Sequence, residues 1–165
     1  MAKITLKGFD EYALKLDRLG TKSEEICKKA VYKGAEILAD GIASSLDSLQ
    51  AVNDVENLKA YKSSKKYHLS KTQKRCLKES LGIAKFETDN GIVQTSVGFD
   101  GYNDIKTKKY PKGQPNRLIA RVIESGSSYM DKTPFVRPAV NKVRKKAQEA
   151  MEEVIDEEFR RIMEG

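Results

Sequence analysis

Residues 117–140, RLIARVIESGSSYMDKTPFVRPAV, leave a chain few ways to fold. A short apolar segment runs into Gly126, a small-residue loop follows, and Pro134-Phe135-Val136-Arg137-Pro138 leads into a long apolar-periodic tract. Leu118, Ile119, Val122 and Ile123 share one helical face, with Asn116 at the N-cap position and Gly126 at C′, where positive φ costs glycine little. The same apolar residues also suit a strand; the cap and the glycine favour the helix. Pro138 disfavours helical geometry at Arg137, so residues 134–137 are expected to be extended, with Pro138 in the first turn of the next helix. Val140, Val143, Ala147, Met151, Val154, Phe159 and Ile162 then outline an apolar face that reaches the C-terminus.

The N-terminal third has helical periodicity. Residues 2–6 alternate as a short strand, ended by Gly8. Phe9, Tyr12, Ala13, Leu16 and Leu19 then predict a helix that stops at Gly20. Thr21-Lys22-Ser23-Glu24 has the form of a capping box and predicts the start of a second, long helix. Ile26, Ala30, Gly34, Ile37, Leu38, Gly41, Ile42, Ser45 and Leu49 lie along its stripe. A mid-helix glycine costs up to about 1 kcal/mol against alanine, which close approach of another element would offset. Simple tolerance of glycine in a long helix is the other reading.

From about residue 53 to 78 the chain is polar and basic, with Lys59, Lys62, Lys65, Lys66, Lys71, Lys74, Arg75 and Lys78, and with Tyr61 and Tyr67 between them. This composition predicts a mobile, solvated loop, although cations interleaved with aromatics also suit a phosphate backbone and stacked bases. Residues 81–88 and 92–97 flank Asp89-Asn90-Gly91, the signature of a β-hairpin turn. Ile92, Gln94 and Ser96 then face one way and Val93, Thr95 and Val97 the other. A second mobile basic loop is expected near 99–115, with Lys106, Lys108, Lys109 and Lys112.

The net charge of +7 favours acidic partners, either nucleic acid or an acidic protein surface. The last helix begins with Lys142, Arg144, Lys145 and Lys146 and continues with Glu152, Glu153, Asp156, Glu157 and Glu158. That order opposes the macrodipole and is partly offset by pairs such as Lys145–Glu149. It reads either as a solvated face or as a surface that pairs head to tail with another copy. Cys27 and Cys76 form no CxxC pair and are expected to be reduced structural thiols. The single histidine, His68, lies among lysines and serines, so no metal site and no cofactor are expected. There is no GxxxxGK[ST] loop, no HExxH and no GxSxG, and the chain is not expected to be an enzyme. No apolar run approaches the ~18 residues of a membrane span, and no signal-peptide core is present, so no membrane partner is expected.

The segment 119–139 resembles a family of phage tail components, the tail-completion or head–tail joining proteins of long-tailed phages and prophages. The pattern is read in Ile119-Ala120-Arg121-Val122-Ile123-Glu124-Ser125-Gly126, then Met130, then Pro134-Phe135-Val136-Arg137-Pro138-Ala139. Leu77-Lys78-Glu79-Ser80-Leu81 is similar to the family's entry to its hairpin, and Gly8-Phe9-Asp10-Glu11 fits its N-terminus. Ile119 and Ser125 stand where the family usually carries aromatics. The resemblance implies a structural virion protein, made in the host cytoplasm, that joins other neck or tail proteins.

The expectation is therefore one α+β domain over residues 1–165. A small antiparallel sheet built on a β-hairpin packs against a long N-terminal helix and a long C-terminal helix. Glu124, Gly126, Met130, Pro134, Phe135, Arg137 and Pro138 are the expected structural and assembly residues. Arg137 is expected to hold a carboxylate, most simply Glu124, or else a neighbouring subunit. The function expected is tail completion or head–tail joining, by assembly of copies into a ring. The alternative is a nucleic-acid-binding module, in the particle or outside it, with Lys62, Lys65, Lys66, Lys108 and Lys109 as polyanion contacts.

Overall fold

A computed structural model describes residues 9–63 and 66–164. The strand expected over residues 2–6 and Lys65 lie outside them. Over the described residues the architecture is α+β, with two long helices, three short ones and a bent antiparallel hairpin.

Helix α1, Phe9–Ser48, is continuous, so the expected stop at Gly20 and restart at Thr21 are incorrect. Thr21 Oγ1 donates to the Arg18 carbonyl at 3.0 Å and Ser23 Oγ to the Gly20 carbonyl at 2.8 Å, as hydroxyls do within a helix. One glycine is a weak breaker, and tertiary packing along this tract outweighs it. The packing partner is α5, Val136–Glu164, which runs antiparallel to α1. Lys15 Nζ donates to the Met163 carbonyl at 2.6 Å, and Lys29 Nζ pairs with Glu158 Oε1 at 3.0 Å. At about 1.5 Å per residue α1 is about 60 Å long and α5 about 44 Å.

The glycine stripe of α1 marks a close approach. A Cβ on Gly34 would stand 2.6 Å from Met151 Sδ, and one on Gly41 would stand 3.0 Å from Val143 Cγ2. Gly20 meets nothing within 4 Å. The α5 face is buried or half-buried at Ala139, Val140, Val143, Ala147, Met151, Val154 and Ile162. Phe159, expected on that face, is 43% exposed, and its neighbour Glu158 turns inward to reach Lys29.

The segment expected as a basic loop forms two helices instead, α2 (Asp54–Lys62) and α3 (Lys71–Ser80). Helix α2 carries Asp54 and Glu56 in its first turn and Lys59 and Lys62 in its last, the order the helix dipole favours. Helix α3 opens with a capping box. Gln73 N–H donates to Ser70 Oγ at 3.2 Å, and Ser70 N–H donates to Gln73 Oε1 at 3.1 Å. Lys74 Nζ then donates to the carbonyls of Asp47 and Leu49 at 2.8 and 2.7 Å, supplying partners at the C-terminus of α1.

The hairpin forms as expected. Strand β1 (Leu81–Ile83) pairs with β4 (Val97–Phe99), and β2 (Glu87–Asp89) with β3 (Ile92–Gln94), both antiparallel. The register shifts by one between the two pairs, so residues 84–86 oppose only 95–96. This is the arithmetic of a β-bulge. It turns Phe86 inward, with its ring 6.4 Å from that of Tyr32 on α1. Asn90 and Gly91 take φ of 49° and 79°, the two positive values that a two-residue type I′ turn needs. Val93, Thr95 and Val97 are half-buried, and Ile92, Gln94 and Ser96 are exposed.

Helix α4, Asn116–Ser125, is capped by Pro115, one residue before the expected Asn116. Asn116 lies inside the first turn and its Nδ2 donates to the Asp100 carbonyl at 3.0 Å. The core sits where the C-terminal end of α1, helices α3 and α4, and the start of α5 meet. Leu46, Leu77, Ile123 and Phe135 are its most deeply buried apolar side chains.

Candidate functional site

The connection from α4 to α5 is a tightly bonded joint. Ile119, Ala120 and Ile123 anchor α4 in the core, which leaves Glu124 at its end facing the incoming chain. Gly126 N–H donates to the Val122 carbonyl at 2.8 Å, and the backbone then leaves the helix at φ 77°, ψ 172°. This differs from the left-handed helical geometry expected there and is accessible essentially to glycine alone. A Cβ at that position would also lie 3.1 Å from Lys132 N.

The loop after Gly126 closes on itself. Ser127 Oγ accepts from the N–H groups of Tyr129 and Met130 at 3.2 and 3.1 Å, and Ser127 N–H donates to the Met130 carbonyl at 2.8 Å. Met130 is buried in the core and pairs with Tyr67 through a short parallel bridge. Thr133 N–H donates to the Ile123 carbonyl at 2.7 Å, which draws the exposed Pro134 back over α4. Phe135 follows, fully buried, its ring 5.9 Å from Phe99 of β4.

Helix α5 begins at Val136, so Val136 and Arg137 are helical rather than extended, with Pro138 in the first turn as expected. A helix start leaves its first N–H groups without partners. Here Glu124 takes them. Its Oε2 accepts from Phe135 and Val136 N–H at 2.7 and 2.9 Å, and its Oε1 accepts from Arg137 N–H at 3.0 Å. Pro138 has no N–H, and the next donor, Ala139, reaches the Phe135 carbonyl at 3.4 Å. Every amide of the turn is therefore accounted for.

The expected Glu124–Arg137 contact exists, but it runs through the Arg137 backbone. The guanidinium is exposed and makes no hydrogen bond or ion pair among the described residues. Partial burial pushes the Glu124 carboxyl up. The three backbone donors and the nearby Arg137 charge outweigh that and hold it below the ordinary value of 4.5.

The basic residues singled out from sequence do not stand as a row of free cations. Lys66 is ion-paired with Asp131, and Lys109 lies over the neighbouring Tyr110 ring at 5.5 Å. Lys62 and Lys108 are exposed. Within α3, Arg75 pairs with Asp104 at 2.6 Å and Lys78 with Asp47 at 2.6 Å. The Tyr67 ring stacks on Tyr129 at 6.0 Å. His68 is exposed, its backbone N–H held by Asn57 Oδ1 at 2.9 Å. Cys27 and Cys76 are free thiols, half-buried and buried. Among the described residues no group of three His, Cys, Asp or Glu side chains is placed to hold a metal ion. No described helix is long and apolar enough to cross a membrane.

Sequence reasoning missed the polar net at the base of the 100–115 loop. Asn103, almost fully buried, accepts from Ile105 and Gln114 N–H, both at 3.0 Å, while Gln114 Oε1 accepts from Gln73 at 3.1 Å. Gly113 closes this loop at φ 110°. The α3 start was readable, because Ser70-Lys71-Thr72-Gln73 has the Ser-x-x-Gln form of a capping box. The Lys74 contacts with the end of α1 had no local signal.

No protein-family profile, characterised protein or solved structure matches this chain.

Proposed function

We propose that this protein is a structural subunit of a long-tailed phage or prophage particle. It acts in tail completion or head–tail joining by assembling with its own copies into a ring, and does no catalysis. The phage context rests on the resemblance carried by residues 119–139. The observation that carries the assembly reading is the exposed apolar surface along the two long helices. Leu14 and Leu16 of α1 and Ile155 and Phe159 of α5 are between 40% and 60% exposed. Ile155 and Phe159 lie one turn apart on the same face of α5, and apolar side chains exposed together in this way suit a surface that another protein covers. The Glu124 joint supports the same reading, since a carboxylate that takes three amides fixes the direction of α5 rather than doing chemistry.

Nucleic-acid binding through the lysine-rich segments has less support, because Lys66, Lys74, Arg75 and Lys78 are engaged within the chain. A gel shift at low salt tests it directly, with binding that falls steeply as salt rises as the positive result.

The proposal is tested by deleting the gene from the phage or prophage that encodes it and imaging the particles. Unjoined heads and tails, or tails of aberrant ends, are expected, with recovery on complementation. Normal joined particles would overturn the proposal.

A further inference from the structure

The two halves of α5 carry surfaces that fit one another but cannot meet within one chain. In the C-terminal half, Ile155 and Phe159 lie one helical turn apart and are 40% and 43% exposed. Glu152 and Asp156, also one turn apart, flank them; neither has an ion-pair partner among the described residues. This is an acidic edge beside an apolar ridge.

In the N-terminal half, α5 and α1 leave an open groove of about 490 Å³. Its lining is short at Ser44, Ser45 and Ser48 of α1 and apolar at Ile37, Pro138 and Val143, which leaves an open trough for side chains from elsewhere. Lys142 and Lys146, again one turn apart, line the groove and have no ion-pair partner among the described residues. Asp40 also lines it, so two cations face one acid.

We infer that the Glu152–Ile155–Asp156–Phe159 stripe of one copy seats in the α1/α5 groove of a second copy of this chain. Ile155 and Phe159 fill the groove, and Glu152 and Asp156 meet Lys142 and Lys146. The matching one-turn spacing of anions and cations lets both pairs form between two helices lying side by side. Within one chain the patches are separated by about 15 Å along the helix and turned by about 80° around it, which excludes the intramolecular contact. Two different surfaces on each subunit make the interface heterologous, the type that closes into rings or continues as filaments. The inference rests on the assembly reading and specifies its interface.

Charge-reversal rescue tests it. Sedimentation velocity of the full chain over a wide concentration range at low salt should reveal self-association that weakens as salt is raised. K142E/K146E and E152K/D156K should each weaken it at least about tenfold while circular dichroism stays unchanged. The fourfold variant carrying both changes should recover it, and so should an equimolar mixture of the two double variants. A Phe159→Ser variant should weaken association without altering its salt dependence. A full chain that stays monomeric throughout overturns the inference, and points to a different protein as the occupant of the stripe. Association indifferent to either reversal, or not recovered by the fourfold variant, also overturns it. None of these failures touches the particle-assembly test, which reads joined virions rather than this contact.

Discussion

Glu124 links two helices that share no backbone hydrogen bond of their own, so its removal exposes the start of α5 directly. Glu124→Ala strips three amides of their acceptor and is expected to cost about 2–3 kcal/mol, read by urea denaturation. Glu124→Gln keeps an acceptor at the right distance without the charge, and should cost about half as much. The pH dependence follows from the depressed carboxyl. Its stabilisation is fully present above the ordinary glutamate value of 4.5 and is lost as pH falls through the lower folded value. Wild-type stability should therefore drop in acid more steeply than that of the Gln variant. Gly113 gives a second test at a single residue. A Cβ there would lie 1.9 Å from the Asn103 carbonyl oxygen at a φ of 110°. Gly113→Ala should cost about 2–4 kcal/mol and disturb the 100–115 loop before the core.

The long helices separate two kinds of glycine. Gly20 faces open space inside α1, and Gly20→Ala should stabilise the protein by up to about 1 kcal/mol through helix propensity alone. Gly41 faces Val143, whose β-branched side chain has few alternative rotamers. Gly41→Ala should therefore lose about 1 kcal/mol net, the packing strain exceeding the propensity gain. Opposite signs in parallel thermal melts are the expected result. Two similar sequence patterns also part ways at this level. Thr21-x-x-Glu24 and Ser70-x-x-Gln73 both read as capping boxes, yet only the second starts a helix. The chain before Ser70 is held extended, with Tyr67 bridged to Met130 and Ser70 to Val52. The chain before Thr21 lies along α5 and stays helical, which leaves Glu24 to pair with Lys28 at 2.6 Å and to accept from Thr88 at 3.0 Å.

Across the whole molecule, stability is uneven along the helix pair. Leu46, Ala139 and Phe135 are locked into the core at one end, while at the other α1 and α5 have chiefly each other. Amides of residues 14–24 and 155–163 should exchange with solvent much faster than those of 42–48 and 139–147, measured by native-state hydrogen exchange. Protection of the first set in assembled particles but not in free protein would accompany burial of the exposed apolar stripe.

Local chemistry was enough to place the elements whose signals are strong over short range. The Asn90-Gly91 turn, the period-two alternation of residues 92–97, the α4 periodicity and the Gly126 stop all depend on nearest neighbours and sterics. The apolar period also marked both long helices, while Gly34 and Gly41 left close approach and simple tolerance open until Met151 and Val143 were found against them. The rest depended on long-range partners. Whether Gly20 breaks a helix was decided by α5, more than a hundred residues away. The start of α3 was local, in the Ser70–Gln73 capping box, but the contacts of Lys74 with Asp47 and Leu49 that dock it on the end of α1 were not. Glu124 was legible as the partner of Arg137, but not that it would hold backbone amides. A sequence displays side chains, whereas the amides left open at a helix start exist only once two helices have been brought end to end.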